Sequence, residues 1–345
     1  MKKDELNKLL MQYQVFSMEA DGISVKTLES RMYSLDIFLS HSPDLKKLSP
    51  EKAKSFKVFL KDTKNKGRMF SMKRQRRILA NVRNFLLWLS LQTGYRRAIP
   101  RDLISYFSLS NRDNKLANIR ARRDFPSLDH VIRLVNAVSS ETVISRMYQA
   151  LIAVLTLYGI RNSAIRTVTL GNVDPYTLEI HQSPLTGVQT KFTEDIHTFI
   201  MPFDSSLVDI VKNWLKECNE MGFGRLDPLF PKLSIKRDKA GVIQKPTELT
   251  KEFIRSKHTL NQILKQCANE AELPYYSAHQ FRHLCVFCAL RAARNAQELK
   301  AICTQFGHKT INLVMSTYGN MSYSQQREII AGMKFEHPEN NFGIN

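Results

Sequence analysis

The spacing of apolar residues over the first 110 positions indicates a helical domain. Apolar side chains recur every three or four residues from Leu28 to Leu39, from Ala53 to Leu60 and from Arg74 to Leu91. This is the repeat of a helix that buries one face. Ser49-Pro50-Glu51 is a helix start, with proline in the first turn. We predict a small all-helical domain over residues 1–110.

From Phe125 onward the pattern predicts a second domain, which is helical except for one β-hairpin. The predicted helices are Leu128–Val138, Ser145–Tyr158, Leu207–Met221, Phe253–Ala271, His279–Asn295 and Gln297–Gln305. Tyr176–His181 and Ile196–Met201 alternate polar and apolar residues around a polar loop, which is typical of a hairpin. The expected fold class is therefore mainly α with a small β-hairpin or sheet, an α+β second domain over 125–335.

Three segments complete the predicted organisation. Residues 111–124 are polar and basic without a sustained apolar period, and we interpret them as a linker. Ser322 to Met333 has the pattern of a C-terminal helix, and residues 336–345 are predicted to be a flexible tail.

The charge of the chain is concentrated in its first third. The net charge is +19, and residues 1–124 hold 27 basic and 12 acidic residues, a net of +15. One stretch without any acidic residue, here called the basic cluster, contains Lys64, Lys66, Arg68, Lys73, Arg74, Arg76, Arg77 and Arg83. A solvated helix face usually mixes both signs, so we favour nucleic-acid contact over a plain surface or an acidic membrane. Arg120, Arg122 and Arg123 of the linker are further candidates for phosphate contact.

The composition argues against secreted and membrane proteins. The five cysteines are scattered, unlike those of a disulfide-dense secreted scaffold. The N-terminus lacks the apolar stretch of a signal peptide, and the longest apolar run, 150–160, is about half of a span of ~20 residues. We expect a soluble cytoplasmic protein, associated with the nucleoid, with reduced thiols and no membrane partner.

Four pieces of the second domain carry candidate chemistry. They are Arg161 after an apolar helix, His279-x-x-Arg282, Gly307-His308, and Tyr318 ten residues further on. Taken singly, each has a structural explanation as a cap, a turn or a packed ring. In this order they resemble the tyrosine recombinase family, which includes phage integrases and Xer proteins. The resemblance covers about residues 20–330, including a looser similarity of the N-terminal helices to the family's core-binding domain.

The resemblance implies an activity and a site. Members form a C-shaped clamp around duplex DNA and cleave it through a 3′-phosphotyrosyl intermediate, without cofactor, metal or ATP. The roles carried over are two phosphate-clamping guanidiniums, a proton-transfer histidine, a phosphate-bonding histidine and a tyrosine nucleophile: Arg161, Arg282, His279, His308 and Tyr318. Tyr323 is an alternate nucleophile. A hairpin lysine serves as general acid, and Lys191 is the only lysine between the predicted strands.

The resemblance also implies partners. These are double-stranded DNA with a specific recombination site, further copies of the chain in a dimer or tetramer on DNA, and accessory DNA-bending or directionality proteins. The C-terminal helix docks either on a neighbouring copy or within its own chain.

The chain departs from the family pattern at four positions. Ala164 stands where an acidic residue is common, Asn172 where aspartate is usual, and Gln280-Phe281 where Asp-Leu is common. Two other functions stay open: a type IB topoisomerase, and a DNA-binding regulator that has lost catalysis. Zinc binding by His279, His283 and Cys285-x-x-Cys288 is disfavoured, because one short helical stretch cannot readily surround an ion tetrahedrally.

Overall fold

The computed structural model describes residues 3–65, 67–118, 124–234 and 246–307, together with Arg327 and Ala331. The chain divides into two compact units, residues 1–123 and 124–345. The predicted C-terminal helix lies outside the described residues apart from these two positions, and the predicted tail lies wholly outside them.

The first unit is helical, with one very short hairpin. Its elements are α1 Lys3–Glu19, α2 Val25–His41, α3 Pro50–Asp62, β1 Lys64–Asn65, β2 Arg68–Met69, α4 Met72–Leu89, α5 Arg101–Ser105 and α6 Asn111–Asn118. Helix α3 begins at the predicted proline, after Ser49 whose side chain accepts a hydrogen bond from the Lys52 amide. Phe38 of α2 packs edge-to-face on Phe56 of α3 at 5.2 Å between ring centroids, and such contacts join the helices into one core.

Helix α6 corrects the predicted linker. Residues 111–118, which the sequence assigned to a linker over 111–124, form a helix whose Ala117 is buried in the core of the first unit. The Arg76 guanidinium of α4 donates a hydrogen bond to the Asn118 side chain at 2.5 Å. The sequence did not predict this helix because its apolar period is weak. The helix buries little more than one small residue. Residues 119–123 lie outside the described part.

The second unit is built around a buried central helix. Its helices are α7 Leu128–Ala137, α8 Val143–Tyr158, α9 Asn162–Ile165, α10 Ser205–Glu220, α11 Lys257–Glu270, α12 Ala278–Ala292 and α13 Ala296–Gln305. Helix α8 is buried along almost its whole length, so its apolar run is explained by the core of a globular unit. None of the described helices combines the length and the apolar character that crossing a bilayer requires.

Two antiparallel strand pairs lie among the described residues of the second unit. The predicted hairpin is confirmed, although its strands are shorter than predicted: β3 Ile180–Gln182 pairs with β4 Ile196–Thr198. A second pair, β5 Pro231–Leu233 with β6 Leu249–Phe253, was not predicted, because the sequence between them resembles a loop rich in proline and lysine. The expected fold class, mainly helical with small sheets, is confirmed.

Candidate active site

Two arginines from distant parts of the chain meet at one backbone oxygen. Arg161 lies at the N-terminus of α9, two residues after Gly159 has ended α8 in a left-handed turn. Its Nη2 donates to the carbonyl oxygen of Phe306 at 3.2 Å. Arg282 of α12 donates from its own Nη2 to the same oxygen at 2.7 Å, and from Nη1 to the Gly159 carbonyl at 2.7 Å. The structure thus brings together the two arginines that the sequence predicted to act jointly.

The burial of Arg282 strengthens the electrostatic repulsion between the two guanidiniums. Only 4% of its surface is exposed, and its guanidinium lies 5.0 Å from the centroid of the Phe306 ring. Two guanidiniums that share one acceptor repel each other, and the repulsion is stronger where water is excluded. An anion placed between them relieves it. The arrangement therefore suits an oxyanion such as a phosphate, which both forks can grip.

Gly307 packs against three parts of the site. A Cβ at this position would lie 2.9 Å from Ile196 Cδ1, 3.2 Å from Glu194 Oε2 and 3.4 Å from Arg161 Nη1. Its φ of +57° also favours glycine. The glycine before the predicted His308 is therefore favoured chiefly by its left-handed backbone, and an added Cβ would also displace the side-chain ends of Ile196 and Glu194.

Glu194 lies near the arginine pair, and sequence reasoning did not place an acidic group there. Its carboxylate and the Arg161 guanidinium both lie beside Gly307, so an acidic group next to Arg161 comes from the hairpin rather than from position 164. Ala164 is instead buried in the core. No local motif marks Glu194, because its proximity to Arg161 depends on how the hairpin folds.

Helix α12 presents its two histidines differently. His279, in the first turn, is exposed, whereas His283 is buried, and their rings meet edge-to-face at 4.8 Å between centroids. Gln280, which departs from the family pattern, caps the helix: its Oε1 accepts hydrogen bonds from the Ser277 amide at 2.8 Å and the Ser277 hydroxyl at 2.9 Å. The glutamine is therefore explained by the start of α12.

Lys191 lies in the loop between β3 and β4, where the sequence placed it. The side chain is exposed, and its Nζ lies 4.5 Å from the centroid of the Phe192 ring. Phe192 and Thr193 both adopt left-handed backbone conformations, with φ of +62° and +56°. Non-glycine residues adopt this region at a cost, and such strain is concentrated at functional sites. Among the described residues, the Lys191 ammonium contacts Phe192 and is not joined to the arginine pair.

Asn172 anchors this hairpin loop. Its Oδ1 accepts hydrogen bonds from the Thr169 amide at 2.9 Å and the Thr169 hydroxyl at 2.8 Å, and its Nδ2 donates to the Thr186 hydroxyl at 2.8 Å. The side chain is buried. An aspartate has no N–H to donate to Thr186, so the departure from the family pattern at this position serves local hydrogen bonding.

Cys285 of α12 belongs to an apolar cluster, in agreement with the interpretation that small apolar packing explains this position better than zinc. Cys285 packs with Cys303, Phe306 and neighbouring aliphatic side chains. Burial raises the pKa of the Cys285 thiol, which keeps it protonated and a poor metal ligand. The nearby tyrosine at the end of α8, Tyr158, donates its hydroxyl to the Leu178 carbonyl at 2.6 Å, and burial raises its pKa too. Neither group is suited to act as a nucleophile.

The remaining predicted site residues lie outside the described part of the chain. They are His308, Tyr318 and the alternate Tyr323 in the second unit, and Lys66, Arg120, Arg122 and Arg123 in the first. Their assignments stay predictions.

The described members of the basic cluster differ in how available they are. Lys64, Arg68, Lys73, Arg77 and Arg83 are exposed. Arg74 and Arg76 are half-buried. Arg74 donates to the Tyr33 hydroxyl at 2.8 Å and covers the Phe70 ring at 4.4 Å, while Arg76 is held by Asn118. The structure thus separates five solvent-facing cations from two that also stabilise the fold.

Comparison with known proteins gives structural matches only. No protein-family model and no curated protein sequence matches the chain. A lambda integrase dimer bound to a COC′ core site matches with a TM-score of 0.57 and 14% identity, over 97% of this chain and 99% of that one. The Tn1549 transposon integrase in complex with a circular intermediate DNA matches with a TM-score of 0.58 and 13% identity, over 94% of this chain and 99% of that one.

These matches concern the fold of the whole chain. Both solved structures are of tyrosine recombinases, and each match extends over nearly the full length of both chains. The resemblance inferred from the motifs is confirmed at the level of the fold: the chain has the fold of the tyrosine recombinases.

Proposed function

We propose that this protein is a site-specific DNA recombinase of the integrase or transposase type. The observation that carries the proposal is the convergence of Arg161 and Arg282 on the Phe306 oxygen, directly before Gly307-His308. In the DNA complex, a non-bridging oxygen of the scissile phosphate takes the place of that carbonyl between the two guanidiniums. The negative charge that grows on the phosphate during attack is then neutralised by the two arginines.

The proposed step exchanges one phosphoester for another. The Tyr318 oxygen attacks phosphorus and forms a 3′-phosphotyrosyl bond, while the bond to the 5′ oxygen breaks. His279 assists removal of the phenol proton, His308 bonds the phosphate, and Lys191 gives a proton to the leaving oxygen. The new ester keeps the energy of the broken one, so rejoining needs no ATP.

Two features support a mobile loop as the carrier of the general acid. Lys191 is exposed, and it lies beside two consecutive residues in left-handed conformations. Strained backbone next to an exposed side chain favours a change of conformation when DNA arrives. In this proposal, the hairpin loop moves the Lys191 ammonium from the Phe192 ring to the leaving oxygen.

The basic cluster supplies the sequence-independent grip on DNA in this proposal. None of its described side chains forms an ion pair with a carboxylate among the described residues, so their charge is directed to the surroundings. Such contacts release counterions and give strongly salt-dependent affinity. Recombination joins two duplexes, so we expect a dimer or tetramer on DNA, aided by accessory DNA-bending proteins.

The decisive experiment is covalent trapping. The substrate is a nicked duplex that carries a direct repeat taken from the DNA flanking the gene. We expect wild type to form a protein–DNA adduct that resists denaturation, Tyr318→Phe to bind without adduct, and Tyr323→Phe to behave as wild type.

Each other outcome identifies a different function. An adduct formed by Tyr318→Phe would overturn the nucleophile assignment. Relaxation of any supercoiled plasmid, whatever its sequence, would indicate a type IB topoisomerase. Specific binding by the wild type without an adduct would indicate a regulator.

A further inference from the structure

The β3–β4 hairpin carries a histidine pair that the reaction above does not use. The strand register places His181 directly opposite His197, flanked by the pairs Ile180 with Thr198 and Gln182 with Ile196. The flanking residues are buried and the two histidines are not, so both imidazoles project from the outer face of the hairpin. Their rings stack with 4.1 Å between centroids and 16° between planes.

A carboxylate completes a group of three metal-ligand types at this point. Both carboxylate oxygens of Asp195 lie 3.0 Å from His181 Nε2. One ligand atom from each of His181, Asp195 and His197 falls within 4.8 Å of the others. Bonds of ~2.0–2.1 Å in a tetrahedral site separate neighbouring ligand atoms by about 3.3 Å. The His181–Asp195 pair already has nearly that separation, and His197 lies within 4.8 Å as the third ligand.

A second carboxylate orients His197 in the manner of a metal ligand. Glu179 makes a short contact with His197 Nδ1. A histidine that binds a metal through one ring nitrogen commonly donates its other N–H to a carboxylate, which fixes the tautomer. Here the Glu179 contact holds the proton on Nδ1 and leaves the Nε2 lone pair for an ion. Glu179 is not one of the three residues of the group, and its contact with His197 independently indicates a metal ion as the bound species.

We propose that His181, Asp195 and His197 bind one divalent transition-metal ion, such as Zn²⁺, on the outer face of the hairpin. Two imidazoles and one carboxylate are a ligand set that Zn²⁺ and Co²⁺ accept, with water in the fourth position. The side chains of His181, Asp195 and His197 are 40%, 55% and 55% exposed, so an ion reaches them without opening the fold. An ion in this site would connect both strands and the end of the loop that follows Lys191.

The test uses the untagged full-length chain without DNA, stripped of metal with a chelator and titrated with Co²⁺ or Zn²⁺. We expect one equivalent to bind, with the visible absorption of tetrahedral Co²⁺. His181→Ala and His197→Ala should each lose that binding, as should Asp195→Asn, which preserves side-chain size. Glu179→Gln should weaken affinity about tenfold or more, because it removes the orienting carboxylate.

His258→Ala is the matched control, since His258 is an exposed histidine on α11 and is not among the proposed ligands. It should bind as wild type does. Circular dichroism of each metal-free variant checks that the fold is kept. A wild type that takes up no metal, or binding that persists in the His181→Ala/His197→Ala double variant, would overturn the site.

A functional consequence rests on the proposed function. An ion shared by β3 and β4 restrains the loop that carries Lys191, so Zn²⁺ should slow adduct formation by wild type and leave His197→Ala unaffected. Equal slowing of both proteins would refute this coupling. The metal titration uses no DNA, so failure of the recombinase proposal and failure of the metal site are distinguished.

Discussion

Replacing Gly159 by alanine tests the close packing that positions the two arginines. The added Cβ would lie 2.7 Å from Phe306 Cε1, 3.1 Å from Cys285 Cβ and 3.2 Å from Cys285 Sγ. The left-handed φ of +55° costs a non-glycine residue ~1–2 kcal/mol. Overpacking of a buried contact adds ~1–3 kcal/mol. We therefore expect Gly159→Ala to lower the free energy of unfolding of the second unit by about 2–5 kcal/mol.

Gly222→Ala is the control that separates two parts of the stability loss: the cost of a left-handed backbone and the cost of steric overlap. Gly222 follows α10 with a φ of +76°, and nothing lies within 4 Å of a Cβ added there. Its substitution should cost only the ~1–2 kcal/mol of the left-handed backbone. The difference between the two variants then measures the contact with Phe306 and Cys285.

The assay is urea unfolding followed by tryptophan fluorescence. The chain has two tryptophans, Trp88 and Trp214, one in each unit, so a Trp88→Phe background leaves the buried Trp214 to report on the second unit. Midpoint shifts at constant slope give the change in stability. Equal destabilisation by Gly159→Ala and Gly222→Ala would refute the close packing. Phe306→Leu should recover part of the Gly159→Ala loss in a double-mutant cycle.

Three further predictions concern charge and thiol chemistry. Replacing the exposed Lys73 and Arg77 by alanine should reduce the slope of log affinity against log salt by about 1.8, measured by fluorescence anisotropy on duplex DNA, because each phosphate contact contributes ~0.9; an unchanged slope would show that these residues face away from DNA. Hydrogen bonds from a neighbouring serine hydroxyl and the backbone hold the pKa of Asp204, the N-cap of α10, below its ordinary value. Its stabilising contribution is therefore present above the unfolded-state pKa of ~3.9 and is lost as pH falls through the folded-state value. Acid unfolding of Asp204→Asn should show a shallower pH dependence, and an identical profile would contradict the assignment. Iodoacetamide should label the half-buried Cys288 before the fully buried Cys285, as followed by mass spectrometry; the reverse order would contradict the packing of α12.

The sequence predicted those parts of the fold in which periodicity is strong. Helix α8 and the β3–β4 hairpin were identified because a long apolar run and an alternating pattern each have one main structural meaning. Helix α6 was missed because it is short and its buried contribution is Ala117. The β5–β6 pair was missed because residues such as Pro231 are not typical of strands.

The candidate site shows a similar division. The sequence singled out Arg161 and Arg282 by their order and spacing along the chain, and the structure places both guanidiniums on one backbone oxygen. Glu194 was missed because its position beside Arg161 exists only after folding. The pairing of His181 with His197 depends on strand register, although the matching Ile-His-Gln and Ile-His-Thr triplets are a sequence signal that could have suggested it.

The shared oxygen of Phe306 also orders events during protein synthesis. It lies 145 residues after Arg161 and 24 residues after Arg282, so both guanidiniums leave the ribosome before their common partner. The contact across 145 residues also carries the larger entropy cost of closing a long loop. A nascent or truncated chain that ends before this point holds both cations without the turn that unites them. The paired arrangement of the two guanidiniums therefore forms only after the chain has been made as far as residue 306.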